Sequence, residues 1–244
     1  MRSLLFALTL LYSTLSFAQM TRVEPFLDLG VKFLIGPSMY SSNVFTENTD
    51  IYEHKFNSFG FGGGAKIALD LSDHFAIVGE GLFMMNQQVY KLNEPYQGDK
   101  YIKSSAIEIP VMLRYNDGSG GYTEGGYAYS SMLKVTETVN ESIQDASDLY
   151  NKARHGLVFG FGGYLFGAED FAVSGGFRVR YDITDIVSTP FESRNDPDYY
   201  ALDNAVTKKT NPLSIMFNIE LNYDLGFVMA RNPCTGRRKM LFVN

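Results

Sequence analysis

From Leu213 to Phe227 the odd-numbered residues are all apolar: Leu213, Ile215, Phe217, Ile219, Leu221, Tyr223, Leu225 and Phe227. The residues between them are polar or small, except Met216. Alternate side chains of a strand point to opposite faces, so this pattern predicts a strand with one oily and one wet side. It is far longer than the usual strand of ~5–6 residues. It also exceeds the ~9–11 residues that carry a tilted strand across a bilayer. The segment reads as a transmembrane β-strand.

The same period recurs seven times upstream, at about 23–35, 57–70, 75–90, 103–115, 122–135, 155–166 and 171–183. The first puts Leu27, Leu29, Val31, Phe33 and Ile35 opposite Asp28, Gly30 and Lys32; the fifth sets Tyr127, Tyr129 and Leu133 against Glu124, Ser130 and Lys134. The links at Leu71–His74, Asn116–Gly121 and Gly167–Asp170 are tight and rich in turn residues, whereas those at about 37–55, 91–102, 136–154 and 184–211 are long and polar. Eight strands joined by alternating short and long links predict an all-β fold, an eight-stranded antiparallel transmembrane barrel of the outer-membrane type. In that arrangement the short turns and both termini are periplasmic. Pro110 interrupts the fourth strand and cannot donate to a ladder, which predicts a β-bulge there.

Period alone does not say which face looks outward, since a soluble ligand-binding barrel would turn its oily side in. The polar parity carries twelve charges of both signs: Asp28, Lys32, Lys66, Glu80, Glu108, Arg114, Glu124, Arg178, Arg180, Asp182, Glu220 and Asp224. Glycines 60, 62, 64, 160, 162 and 176 share that parity. An eight-stranded lumen is just wide enough for side chains to fill. Small residues there leave room for long charged ones, which must pair because an uncompensated buried charge is costly. The expectation is a lumenal charge network centred on Arg114, Arg178 and Arg180 with Glu80, Glu108 and Glu220. Tyr90, Tyr101, Tyr115, Tyr122 and Tyr181 fall near strand ends and are expected to form aromatic girdles.

Composition agrees with export. Arg2, the apolar run Leu4–Leu15 and Ser16-Phe17-Ala18 resemble a cleavable leader over residues 1–18. The barrel is then expected over 19–227, followed by a short basic periplasmic tail at 228–244. Without Arg2 the chain holds 20 Lys+Arg against 27 Asp+Glu, an acidic balance that argues against nucleic-acid binding. Cys234 is the only cysteine, so no disulfide forms within the chain.

Three segments also resemble the outer-membrane β-barrel proteins of Bacteroidetes-type bacteria, the PorT-like family. They are Ala106-Ile107-Glu108-Ile109-Pro110-Val111-Met112-Leu113-Arg114-Tyr115, Gly156-Leu157-Val158-Phe159-Gly160-Phe161-Gly162-Gly163 and Phe177-Arg178-Val179-Arg180-Tyr181-Asp182-Ile183-Thr184-Asp185-Ile186. Ile183-Thr184-Asp185-Ile186 departs from the Gly-Leu-x-Asn-Ile run common in that family, and the fifth strand lacks its usual Gly-Pro. The resemblance implies an outer-membrane location and an envelope or secretion-accessory role.

Candidate chemistry is sparse. No phosphate loop, nucleotide fingerprint or metal-ligand pair occurs, so no cofactor and no metal are expected. Acidic residues of the third long link (Glu137, Glu141, Asp145, Asp148) and the fourth (Asp196, Asp198, Asp203) lack the spacing of a calcium loop and read as solvated. His54 and His74 read as solvated too. Ser131 and His155 fall at the outer ends of neighbouring strands, with Glu137 close by, and form the one candidate nucleophile–base–acid group for a lipid hydrolase. The leading expectation is a non-enzymatic barrel with a plugged lumen, embedded in outer-membrane lipid. Its partners would be envelope or secretion proteins, met through the long links or the tail. The alternatives are the lipid hydrolase and a narrow cation channel.

Overall fold

The structure, a computed structural model, describes residues 24–41, 52–54, 58–72, 74–92, 98–139, 142–168, 171–186, 188, 211–229 and 239–242. The expected leader, Glu141, Asp196, Asp198, Asp203, Cys234 and the side chain of His54 lie outside the described residues. In chain order the strands are β1 (Glu24–Ser41), β2 (Tyr52–His54), β3 (Phe59–Asp70), β4 (Phe75–Leu92), β5 (Gly98–Asn116), β6 (Gly121–Val139), β7 (Ser142–Asp145), β8 (Ala153–Ala168), β9 (Phe171–Asp182), β10 (Asn211–Met229) and β11 (Lys239–Phe242). A 3-10 turn, Ser147–Leu149, follows β7.

Eight of these strands pair antiparallel with their sequence neighbours, and β1 pairs with β10 to close the ring. The molecule is an eight-stranded antiparallel β-barrel. The three short strands hang on its rim: β2 on β4, β7 on β6, and β11 on β10. β10 therefore runs past Phe227, and part of the expected tail folds back against it.

The oily face points outward. Phe33, Phe61, Phe159 and Ile219 are each between 39% and 66% exposed, and the exterior parity of all eight strands is similarly apolar. So large an apolar surface is incompatible with water and suits a bilayer. The soluble-barrel arrangement is thereby excluded.

The short-turn end is locally specified. The Asp117 carboxylate accepts from the amides of Ser119 (2.9 Å) and Gly121 (2.8 Å) and from the Ser119 hydroxyl. Gly120 takes φ of 99°, a conformation that disfavours a Cβ. At the 71–74 turn the Ser72 hydroxyl accepts from the Phe75 amide, and His74 Nδ1 bonds the Asn116 carbonyl at 3.1 Å. His74 thus ties two turns together, although it remains exposed.

The opposite end departs from expectation. β4 continues to Leu92 and β5 begins at Gly98, so the link read at 91–102 shrinks to residues 93–97. The alternation of exposed and buried positions ends there: Gln88, Val89 and Tyr90 are all buried, with Gln88 bonded to Ser38 and the Val89 amide to the Ser58 hydroxyl. Pro110 makes no bulge. The β4–β5 ladder passes from Gly79↔Val111 to Leu82↔Glu108 with its register kept, losing only the rungs at Pro110. Pro37 does the same between β1 and β10. The bulge of this region lies instead at Ser105/Ala106 against β6. It reverses parity in β6, so Lys134 faces outward rather than into the lumen, and Val135 and Glu137 turn in.

Candidate functional site

The barrel interior is filled by charge. Seven of the eight ring strands each send one ionisable side chain to a central layer: Lys32 from β1, Lys66 from β3, Glu80 from β4, Arg114 from β5, Glu124 from β6, Arg178 from β9 and Glu220 from β10. All seven are buried. β8 contributes space: a Cβ at Gly160 would stand 2.8 Å from the Glu124 carboxylate, and Gly162, with Gly176 of β9, leaves room for the Tyr122 hydroxyl in the same way.

Pairing within this layer is dense. Lys32 Nζ sits 2.6 Å from Glu220, 3.0 Å from Glu80 and 3.5 Å from Glu124. Arg178 grips Glu80 with two nitrogens (2.6 and 2.9 Å) and reaches Glu124 at 2.6 Å. Arg114 donates to Glu124 through Nε and Nη2 (3.1 and 2.6 Å) and to both oxygens of Glu220 (3.1 and 2.9 Å). Its guanidinium lies 3.9 Å above the Tyr122 ring, and the Tyr122 hydroxyl donates to Glu220. Lys66 completes Glu220 at 3.1 Å. The planar fork of arginine suits such shared, bidentate contacts.

Could the three carboxylates hold a metal? Their oxygens come within 4.8 Å of one another. Four cationic side chains already occupy them, so a further divalent ion would meet net positive charge. The arrangement is an ion-pair layer. Leu34, Leu82, Met84 and Met216 cover it on the long-link side as an apolar layer.

A second group lies toward the long-link end. Arg180 binds Asp182 (2.7 Å), donates to the Ser130 hydroxyl (2.6 Å) and pairs with Glu108. Arg154 bonds Asp182 from β8 at 2.9 Å. Arg154 lies just before the sixth strand as the sequence pattern bounds it, at 155. Extending the alternation of Gly156 and Val158 by one step would have found it.

At the short-turn end Asp28 and Asp224 lie opposite each other on β1 and β10. They face a cavity of about 260 Å³ that Asp70, Arg114 and Lys66 also line. Asp28 and Asp224 line this cavity and the other ten charged residues of that parity are buried, in three levels rather than around one centre. Glu108 and Arg180 belong to a separate group from Arg114, Arg178, Glu80 and Glu220, while Lys32 sits at the heart of the central layer.

The girdle expectation is corrected at two positions. Tyr90 and Tyr122 are buried, being on the inward parity, whereas Tyr115 and Tyr181 are exposed on the exterior.

The Ser131, His155 and Glu137 group does not assemble. Ser131 is opposite Ala153 and His155 opposite Tyr129, which makes the two diagonal neighbours, but His155 is turned toward Tyr127, on the side away from Ser131. The His155 ring is hydrogen-bonded through Nδ1 to the Tyr127 hydroxyl and packs against Tyr127 and Tyr129, with ring centres 5.8 and 5.6 Å away. Glu137 lies beyond the bulge on the inner face. There it pairs with Lys100 at 3.2 Å and accepts from the Tyr150 hydroxyl at 2.7 Å, so it is buried rather than solvated.

No family model matches this sequence, and no curated protein matches it. Solved structures are similar in shape at very low identity. The outer membrane protein OprG from Pseudomonas aeruginosa is 9% identical, with 83% of this chain and 97% of that chain covered and a TM-score of 0.44. Neisserial surface protein A is 10% identical, with 80% and 96% covered and a TM-score of 0.43. Ail, the attachment invasion locus protein of Yersinia pestis, solved with the heparin analogue sucrose octasulfate, is 7% identical, with 82% and 99% covered and a TM-score of 0.40.

Proposed function

We propose that the protein is a non-enzymatic integral outer-membrane barrel with a closed lumen, a structural and partner-binding platform of the cell envelope. The observation that carries this reading is the central layer, in which seven buried side chains meet across the bore at ion-pair distance. Bulk passage would have to break several of these pairs at once. Four cations against three carboxylates also disfavour a cation path through the middle, whatever the acidic mouth formed by Asp28, Asp70 and Asp224. The engagement of His155 by Tyr127 and the inward position of Glu137 speak against lipid hydrolysis.

In this proposal the leader-like residues 1–18 direct export and are removed. Residues 19–227 form the barrel, and residues 228–244 stay in the periplasm with both termini. The long-link end then faces outside the cell. The resemblance to the PorT-like family supports an envelope or secretion-accessory role, with partners engaged through the long links or the tail.

Planar-bilayer recording of the purified protein tests closure: no steady conductance is expected, and a steady cation-selective current would overturn the plug. Protease added to intact cells tests orientation. Cuts are expected near Lys152, Arg194 or Lys208, and cleavage at the 116–121 turn would reverse the topology.

A further inference from the structure

Among the described residues of the eight ring strands, lysine or arginine appears on the lipid-facing side at three positions: Lys91, Lys103 and Lys134. All three lie at the long-link end of adjacent strands β4, β5 and β6. Lys91 stands opposite Asp99. Lys103 and Lys134 are exposed and have no ion-pair partner among the described residues. Asp145, on the rim strand β7, carries a carboxylate that accepts from the Ser147 hydroxyl at 2.6 Å.

These lysines border a groove. Two successive outward rungs cross β3 to β6: Phe59, Gln87, Lys103 and Thr136 form one, and Phe61, Met85, Ser105 and Lys134 the next. They line a surface cavity of about 380 Å³. One wall is aromatic and apolar, the other carries two ammonium groups, and amide and hydroxyl groups lie between. Lys103 and Lys134 are diagonal neighbours on adjacent strands, ~7–8 Å apart at their bases, within reach of one shared anion. Left alone, two like charges so placed repel. The bulge at Ser105/Ala106 creates the pair, because without it Lys134 would point into the lumen; bulges commonly re-aim a side chain in this way.

We infer that this groove binds a phosphorylated glycolipid of the lipid A class in the outer leaflet. The lysines clasp a phosphate, Gln87, Ser105 and Thr136 hydrogen-bond the sugar, and Phe59, Phe61 and Met85 flank an acyl chain. Charge on the lipid side of a barrel costs much at the bilayer midplane and little at the headgroups, which suits a site at the end of the strands. The uncharged polar row favours a sugar headgroup over a glycerophosphate.

The inference rests on the proposed orientation, yet its test does not. Purified full-length barrel in detergent is titrated with bis-phosphorylated lipid A, the same glycolipid stripped of phosphate, and phosphatidylglycerol, and retained lipid is counted by native mass spectrometry. One lipid A per barrel is expected, held at least tenfold more tightly than either comparison lipid. The double variant Lys103→Gln/Lys134→Gln should fall to the dephosphorylated level, while Lys91→Gln should not. Equal retention of phosphatidylglycerol, or an unaffected double variant, overturns the site. If the double variant does not fold, the three lipids on the wild-type barrel still decide. A reversed orientation would show in the whole-cell protease experiment and leave these results unchanged.

Discussion

Replacing Lys32 by methionine keeps the length of the side chain and deletes one charge from the middle of the barrel. The ammonium contacts three carboxylates within 3.5 Å and is fully buried. None of these carboxylates is left alone: Glu80 keeps Arg178, Glu124 keeps both arginines, and Glu220 keeps Arg114 and Lys66. Breaking a buried pair costs ~3–5 kcal/mol when the partner is stranded. With the remaining cations in place, Lys32→Met should fall near the low end, about 3 kcal/mol, or roughly a hundredfold in the folding equilibrium. Arg178→Met should cost more, about 5 kcal/mol, because Glu80 then retains only Lys32. The double change Lys32→Met/Glu80→Gln removes a charge of each sign and should cost clearly less than the sum of its parts, as expected for residues in one network. The chain has no tryptophan, so urea titration is followed by far-UV circular dichroism and by heat-modifiable gel migration in lipid vesicles. A Lys32→Met barrel within about 0.5 kcal/mol of wild type, the usual scatter of surface substitutions, would refute the reasoning, as would strict additivity of the double change.

Three further outcomes are expected. Gly160→Val drives a branched side chain into Glu124 and should destabilise by ~1–3 kcal/mol, read by the same titration; an unchanged midpoint would mean that the lumen has slack. Gly120→Ala meets the positive φ of the 117–120 turn and should cost ~1–3 kcal/mol, whereas Gly118→Ala, where a Cβ meets nothing within 4 Å, should be tolerated. The Ser119 hydroxyl, followed by the amides of Gly121 and Ser119, holds the Asp117 carboxyl below its usual range. Its contribution is therefore present above the ordinary aspartate pKa and is lost as pH falls through the lowered one. Protease sensitivity of this turn in the purified barrel should rise only in acid, and Asp117→Asn should flatten that profile.

Much of this architecture could be read from period alone, for a physical reason. Lipid on one side and a narrow bore on the other penalise every misplaced residue, so the pattern from Leu27 to Ile35 or from Leu213 to Phe227 is unusually clean. The lumenal residues followed from parity, and Gly160, Gly162 and Gly176 signalled where long side chains would lie. Reading failed where that double constraint stops. Past Gln88 consecutive residues are buried, and alternation no longer marks the strand. Lys134 faces outward against its parity because a one-residue bulge reverses a face without leaving a mark in composition. Nearness to strand ends suggests a girdle for Tyr90 and Tyr122, but their even positions turn them inward. Pairing was harder still: the split between the Arg114–Arg178 layer and the Arg180–Asp182 group depends on heights set by strand stagger, which no local pattern reveals.

The central layer also dictates how the barrel is made. Lys66 and Glu220 are 154 positions apart, Arg114 and Glu220 are 106 apart, and Lys32 and Glu80 are 48 apart. Contacts this distant in sequence form late and slowly, because chain closure has to precede the reward. Until β10 docks on β1, Glu220 is kept from Lys32, Lys66 and Arg114, and Lys66 has no other carboxylate of the layer within ion-pair reach. Dehydration of the bore and sealing of the last seam are then a single event, and a partly zipped sheet gains little from its charges. Insertion is expected to be all-or-none, with the half-built barrel kept at the water interface until its two terminal strands meet.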